Sequence, residues 1–141
     1  MSSALDRLKN LTAKISSYEL ARKENMAELK RLFERLEIGA KVPQFQEIFE
    51  FKAINLAGIS LASEELGAIK EGKYVQIIAI RYDKTSSVKN KNISLGYFGR
   101  AEKVDPALRE EIIRFVLCWR FEKSFRTLEH YHNMIESLKP Q

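Results

Sequence analysis

The sequence predicts an α+β fold built from two long helices and a small, mainly antiparallel sheet. Three observations predict it: a helical apolar spacing over residues 1–38, a second one over residues 106–138, and strand-like apolar patterns between them. We therefore expect three strands with one short helix inserted between the first and the second. The long C-terminal helix is expected to pack across the sheet and against the N-terminal helix.

Composition favours a single domain over residues 1–141, with an N-terminal helical arm (1–38) and an α+β body (45–141). Of the 141 residues, 45% are hydrophobic and 30% are charged, which is ordinary for a globular protein. The one cysteine, Cys118, cannot form an internal disulfide, and this favours a reducing, cytoplasmic setting. Since there is neither a secretory-signal pattern nor a run of about 18 apolar residues, we expect no association with a membrane.

The first helix is predicted to begin at Ser2 or Ser3 and to end near Glu37. Arg22 falls where the apolar stripe of this helix calls for an apolar side chain, and Ser16 with Glu19 forms a capping-box pattern. The segment is therefore either one long helix or two helices in series.

The same helix carries a partial heptad repeat. Seven of the ten a and d positions are apolar, which raises the possibility of a coiled coil without establishing it. We expect the apolar positions to face a second copy of the chain or another protein. The interface residues predicted in this way are Leu8, Ile15, Met26, Leu29, Phe33 and Leu36.

The predicted sheet begins after a connector around Pro43. Phe45–Leu56 is predicted to be the first strand, because Phe49, Phe51 and Ala53 alternate with charged residues. A helix of about two turns is predicted from Ser60 or Ser63 to Gly67.

The second predicted strand, Lys73–Tyr82, is apolar on both faces, which places it in the middle of the sheet. Ile93–Phe98 is predicted to return antiparallel to it.

The second long helix is predicted to run from Pro106, with Asp105 as its N-cap, to about Leu138. Its first half is apolar over most of its circumference and requires cover from several elements. Its second half is apolar on one side only, and the expected partner for that side is the N-terminal helix of the same chain or of a second subunit. This surplus of apolar surface favours a homodimer.

A basic segment, RYDKTSSVKNKNISLGYFGR (residues 81–100), joins the second and third strands. Residues 71–105 carry seven Lys/Arg against four Asp/Glu and so supply +3 of the net charge of +5. The connecting loop of about ten residues exceeds the usual hairpin length, and such loops are often binding elements. The residues predicted to contact nucleic-acid phosphates are Arg81, Lys84, Lys89, Lys91, Arg100 and Lys103.

Two interpretations of this segment remain open. Tyr82, Tyr97 and Phe98 can stack on bases if they face outward, which favours a binding surface. Alternatively, the loop is a solvated turn, and Tyr82 and Tyr97 pair with each other across the strands.

The sequence contains no pattern typical of catalysis or of a metal site. His130 and His132 lie two residues apart on a helix, so they point about 200° away from each other and cannot share a metal ion. No serine stands in a nucleophile elbow, and Gly96 with Gly99 lacks the spacing of a phosphate-binding loop. We therefore expect neither enzymatic activity nor a cofactor nor a metal.

Two functions follow as hypotheses. The first is a homodimeric, non-enzymatic nucleic-acid-binding protein that contacts phosphates through the basic hairpin. The alternative is a protein-interaction module, such as an adaptor, assembly subunit or inhibitor, that docks a partner through its amphipathic helices.

Overall fold

A computed structural model of the chain describes residues 3–82 and 90–140, apart from the side chains of residues 15 and 16. Two helices and three strands follow each other in the order helix, three strands, helix. Their bounds are α1 (Ala4–Arg35), β1 (Ala53–Ala57), β2 (Tyr74–Tyr82), β3 (Asn90–Arg100) and α2 (Pro106–Ser137). The predicted α+β class is confirmed.

Helix α1 is continuous, so the alternative of two helices in series is wrong. A capping box is formed at its start: the Ser3 hydroxyl accepts a hydrogen bond from the Asp6 backbone N–H at 3.1 Å, and the Asp6 carboxylate accepts one from the Ser3 backbone N–H. The helix ends at Arg35, and Glu37 then adopts a left-handed backbone conformation that turns the chain away.

The three strands form one antiparallel sheet in the order β1-β2-β3, so β2 is central, as predicted. Its residues Val75, Ile77 and Ala79 are buried and define an inner face of the sheet. The register places Ile54 of β1 opposite Ala79, and Ile93 of β3 opposite the same residue on the other side.

The predicted first strand, Phe45–Leu56, is wrong over its first half. Phe45–Glu50 forms a 3₁₀ helix, and β1 covers only Ala53–Ala57. The aromatic spacing explains the difference, since Phe45 and Phe49 lie four residues apart and their rings meet edge to face at 5.9 Å. The Phe45 ring also packs against Phe33 of α1 at 5.4 Å, so this helical turn fills the core better than an extended strand.

The predicted two-turn helix between β1 and β2 is reduced to one 3₁₀ turn, Ser63–Glu65. An isolated antiparallel β-bridge between Ile59 and Ile69 joins the two ends of the segment that contains this turn. Gly67 has a φ of +86°, which stops any further helical turn.

The core lies between the inner face of the sheet and the two helices. Helix α2 contributes Ile112, Phe115, Val116 and Trp119, all buried, and the Trp119 Nε1–H donates to the Ile48 carbonyl at 2.8 Å. Helices α1 and α2 run antiparallel, because Arg35 pairs with Glu111 whereas Arg22 pairs with Glu122 and Glu129. The predicted packing of α2 on the sheet and on the first helix is confirmed.

Candidate nucleic-acid interface

Within residues 3–82 and 90–140, no helix or strand covers the face of the sheet opposite the two long helices. Side chains alternate along β2, and those between the buried positions point to this outer face. The outer positions of the sheet are Ala53, Asn55, Ala57, Tyr74, Gln76, Ile78, Ile80, Tyr82, Asn90, Asn92, Ser94 and Tyr97, and none of them is buried. A surface of this kind is free to receive a ligand.

Three exposed tyrosines stand on the outer face. The rings of Tyr74 and Tyr97 lie 5.7 Å apart at an angle of 34°, and the side chains are 55% and 60% exposed. Tyr82 is 51% exposed at the opposite end of β2, roughly 26 Å away at about 3.3 Å per residue. Phe98, by contrast, is half-buried against the core.

The predicted pairing of Tyr82 with Tyr97 is wrong. The register sets Tyr97 opposite Gln76 and Tyr82 opposite Asn90, so Tyr97 meets Tyr74 instead. Two register shifts in the β2–β3 pair, which no sequence pattern indicated, are responsible for this alignment.

Hydrogen-bonding side chains occupy the surface between the tyrosines. Gln76 and Ser94 are half-exposed, whereas Asn55 and Asn92 are exposed. Ile78 and Ile80 lie half-buried among them. The outer face therefore offers flat aromatic rings, a shallow apolar floor, and amide and hydroxyl groups that hydrogen-bond to polar ligands.

The predicted phosphate-binding cations do not form one cluster. Arg81 and Lys91 are register partners at the loop end of the sheet, and Arg100 lies opposite Tyr74 at the other end, roughly 23 Å away along the strand. Lys103 follows Arg100 in a 3₁₀ turn. Lys84 and Lys89, which were predicted to contact phosphates from the connecting loop, lie outside the described residues.

Local contacts orient two of these cations. The Arg81 guanidinium lies 5.4 Å from the centre of the Phe51 ring. Arg100 Nε lies 3.0 Å from one carboxylate oxygen of Glu102, and the other oxygen accepts the Gly72 backbone N–H at 3.1 Å. Hydrogen bonds from the backbone N–H of Glu102 itself and from that of Gly72, together with the positive charge of Arg100, lower the pKa of Glu102. All four described cations of the predicted set are exposed.

Three residues of the predicted helix interface are buried by the chain itself. Leu29, Phe33 and Leu36 belong to the core, so they are not free to face a second subunit. Met26 is partly buried against the same core, and Leu8 is 59% exposed. The side chain of Ile15 lies outside the described part.

An ionic network that sequence reasoning missed joins α1 to α2. Glu122 is 2% exposed and accepts hydrogen bonds from Arg22 at 2.8 and 3.0 Å and from Arg126 at 2.9 Å. Arg22 also pairs with Glu129. Burial raises the pKa of Glu122, but hydrogen bonds from Arg22 and Arg126 outweigh burial, and the net shift is downward. The sequence held one indication of this network, because Arg22 stands at a position where the apolar stripe of α1 calls for an apolar side chain.

A groove of about 630 Å³ runs between the β1 edge and α2. Lys52, Arg120 and Lys123 line it together with Trp119, and none of the described residues that line it is acidic. Arg120 donates to the Ile54 carbonyl at 3.2 Å and so covers part of the open edge of β1. Burial, reinforced by Arg126, lowers the pKa of Lys123, which donates to the Phe49 carbonyl at 2.6 Å.

The histidines and the cysteine lie away from the outer face of the sheet. His130 and His132 are exposed on α2. Burial raises the pKa of the Cys118 thiol, and Cys118 packs on the core. Among residues 3–82 and 90–140, no three His, Cys, Asp or Glu side chains are grouped so as to hold a metal ion. In the same part of the chain, no helix combines the length and apolar character needed to span a bilayer.

No protein-family model matches this chain, and comparison with curated proteins and with solved structures finds no match either. Function is therefore argued from the geometry and chemistry of the outer face.

Proposed function

We propose that the protein binds single-stranded nucleic acid on the outer face of its sheet. The observation that carries this proposal is the presence of exposed Tyr74, Tyr97 and Tyr82 on a sheet face that no helix of the described residues covers, with Arg100 beside Tyr74 at one end. Bases stack on exposed aromatic rings whatever their sequence, because every base has a π-face. The proposed binding surface is therefore the whole outer face of the sheet and not the basic hairpin loop alone.

The cations near the outer face suit a strand that runs along the sheet. Arg100, opposite Tyr74, and Lys103 attract phosphates at one end. At the loop end, Arg81 and Lys91 lie on the inner side of the sheet and add only longer-range attraction. Tyrosines near both ends then stack on bases, and Gln76 and Ser94 hydrogen-bond to base edges between them. Duplex bases are already stacked and paired, so a single strand is the expected form of the ligand.

The test is fluorescence anisotropy with a labelled single-stranded DNA or RNA of about ten nucleotides, short enough to occupy one sheet face. For four phosphate contacts, affinity is expected to fall roughly fiftyfold between about 50 and 200 mM salt. A duplex of the same sequence is expected to bind more weakly. The proposal is contradicted if no binding is seen at low salt, or if the affinity does not change with salt concentration.

Tyrosine variants separate stacking from general charge attraction. Tyr74→Ala and Tyr97→Ala are each expected to weaken binding by about tenfold, since stacking contributes about 1–3 kcal/mol per base. The matched control is Tyr131→Ala, which removes a tyrosine that is 58% exposed on α2. If the three variants weaken binding equally, the sheet face is not the site.

A protein-interaction module is the second candidate, and the exposed apolar residues of both helices favour it. Affinity purification is expected to recover one defined protein, which is then lost with Leu8→Glu and Leu11→Glu. Leu29 and Phe33 of the predicted interface are unsuitable as probes, because they belong to the core and their substitution would destabilise the fold. Nucleic acid that co-purifies and is removed by nuclease favours the first function instead.

A further inference from the structure

The groove between the β1 edge and α2, named here the β1–α2 groove, has the size of a small-molecule site. Its volume is about 630 Å³, and ligand pockets of proteins measure about 300–1,000 Å³. The described residues that line it do not include Tyr74, Tyr97 or Tyr82 of the outer face. The groove is therefore a second candidate site, separate from the surface proposed for nucleic acid.

One end of the groove presents hydrogen-bond donors. Arg120 holds the Ile54 carbonyl through Nε and Nη2, which leaves the two N–H groups of its Nη1 for a ligand. The Asn55 Oδ1 accepts from Arg120 at 3.2 Å, so the amide nitrogen of Asn55 can donate elsewhere. Lys123 Nζ gives one of its three N–H groups to the Phe49 carbonyl at 2.6 Å. A ligand group that complements these donors is an acceptor.

The positive charge at this end has no counter-charge within the described part of the chain. None of the ion pairs among residues 3–82 and 90–140 includes Lys52, Arg120 or Lys123. Arg126, which stands three residues after Lys123 on α2, pairs with Glu122 by contrast. Burial lowers the pKa of Lys123, and the charge of Arg126 lowers it further, so an anion beside Lys123 relieves an unfavourable charge. The acceptor that suits this end is therefore an anion.

The other end of the groove is apolar. Leu128 and Tyr131 line it and are 65% and 58% exposed. At about 100° per residue, both lie within about 80° of Arg120 around α2, so charged and apolar residues share one face of the helix. Leu128 stands eight residues after Arg120, and Tyr131 eight after Lys123, a separation of roughly 12 Å at about 1.5 Å per residue. The groove thus matches a molecule with a charged head and an apolar body of about this length.

We propose that the β1–α2 groove binds a small organic anion. Its charged group lies between Lys52, Arg120 and Lys123, and its apolar body lies along Leu128 and Tyr131. Arg120 and Lys123 are already fixed to backbone carbonyls, so they lose little conformational freedom when the anion binds.

The probe is 2-naphthoate, an aromatic carboxylate, and its matched control is 2-naphthamide, which has the same body without the charge. Trp119 is the one tryptophan of the chain and lines the groove. Its indole N–H cross-peak in a ¹H–¹⁵N correlation spectrum of the full chain therefore reports on the groove. We expect 2-naphthoate to shift this cross-peak with saturation, and 2-naphthamide to bind at least about tenfold more weakly, because a hydrogen bond to a charged group is the stronger one.

Charge variants test the head of the ligand. Lys52→Gln and Arg120→Gln are each expected to weaken 2-naphthoate binding several-fold and to leave 2-naphthamide binding unchanged. The matched controls are Lys30→Gln and Lys41→Gln, which remove one charge from exposed residues outside the groove and should bind like the wild type. Lys52 is exposed and makes no side-chain hydrogen bond to another described residue, so its variant stays informative if loss of Arg120 impairs folding.

An apolar variant tests the body of the ligand. Leu128→Ser is expected to weaken the binding of 2-naphthoate and of 2-naphthamide by the same factor, since both have the same aromatic body. Leu5→Ser is the control, because Leu5 is 58% exposed on α1 and does not line the groove. Equal binding by these two variants would contradict the proposed position of the body.

Four results overturn the proposal. The Trp119 cross-peak does not move with 2-naphthoate, the amide binds as tightly as the carboxylate, or the charge variants bind like their controls. The fourth is displacement of 2-naphthoate by a single-stranded oligonucleotide, which assigns the groove to the nucleic-acid surface. Because Tyr74 and Tyr97 do not line the groove, failure of the first three kinds leaves the proposed function intact.

Discussion

Arg22 lies at the edge of the packed core, beyond which the described side chains of residues 4–20 of α1 and 127–137 of α2 are exposed. Its guanidinium reaches across to Glu122 and Glu129 of α2, and lies 5.2 Å from the centre of the Phe125 ring. These contacts raise the pKa of Arg22, chiefly through the hydrogen bonds to the two carboxylates. The charged residue that interrupts the heptad pattern is therefore a helix-to-helix contact, and it explains why the apolar stripe of α1 has a gap there.

The buried carboxylate of Glu122 is the most sensitive member of this network. Glu122→Gln keeps the side-chain size but removes the charge that both arginines bind, so we expect the free energy of unfolding to fall by about 2 kcal/mol. Urea denaturation at neutral pH measures the change. The control is Glu110→Gln, which removes an exposed carboxylate paired with Arg114 and should change stability little.

The loss of stability caused by Glu122→Gln is expected to depend on pH. The pKa of Glu122 in the folded chain lies below its ordinary value of 4.5, so ionised Glu122 stabilises the fold above that pH. This contribution disappears as pH falls through the folded-state pKa. The stability gap between wild type and Glu122→Gln should therefore narrow below about pH 4.5. If the difference in free energy of unfolding between wild type and Glu122→Gln stays constant until the protein unfolds in acid, the charge of Glu122 is not the cause of that difference.

At the scale of elements, Gly58 directly follows β1 and lies so close to the start of β2 that a larger residue does not fit there. Gly58 has a φ of +86°, and a Cβ there would lie 2.6 Å from the Tyr74 carbonyl oxygen. Its own carbonyl accepts the Lys70 N–H at 2.9 Å, which anchors the returning chain. The position of Tyr74 on the outer face thus depends on a glycine sixteen residues earlier.

Gly58→Ala is expected to lower the free energy of unfolding by at least about 2 kcal/mol, because backbone strain adds to the clash with Tyr74. Gly72→Ala separates the two effects. Gly72 has a φ of +81° with open space where a Cβ would stand, so only the strain of about 1 kcal/mol remains. Thermal or urea unfolding measures both variants. If both variants lose the same free energy of unfolding, the clash of the new Cβ with the Tyr74 carbonyl oxygen does not contribute.

At the scale of the whole molecule, the two faces of the sheet have different surroundings. The helices pack on the inner face of the sheet, and the side chains of its outer face are not buried. Positive charge is concentrated in residues 71–105, which include β2, β3 and the segment between them. A polyanion is therefore attracted to the sheet more strongly than to the end of α2, where residues 127–138 carry two carboxylates and neither Lys nor Arg.

Replacing Lys84, Lys89 and Lys91 together with alanine tests this concentration of charge. We expect weaker binding of single-stranded oligonucleotides, a salt-dependence slope reduced by about 2, and an unchanged melting temperature. The control replaces Lys23, Lys30 and Lys41, three lysines that are exposed outside the sheet, and alters the net charge equally. If the two triple variants bind alike, only net charge matters.

Part of the candidate site was predictable and part was not. The central position of β2 and the charge of the segment that follows it are visible in local patterns of apolar and basic residues. The Tyr74–Tyr97 contact was not, because a bulged register decides which side chains meet, and bulges leave no periodic signal. Arg81 and Arg100 were grouped by sequence proximity, although the strand between them holds them at opposite ends of the sheet.

The sequence by itself determined the α+β class, the long helices, the order of the strands and where charge accumulates, because helical periodicity, caps and composition act over short distances along the chain. Only the tertiary structure decided that Phe45–Glu50 turns as a 3₁₀ helix, that Leu29, Phe33 and Leu36 enter the core, and that the tyrosines share an uncovered face. These outcomes depend on which surfaces of distant elements cover each other. Packing and register are set by contacts between segments far apart in sequence, and no local pattern encodes them.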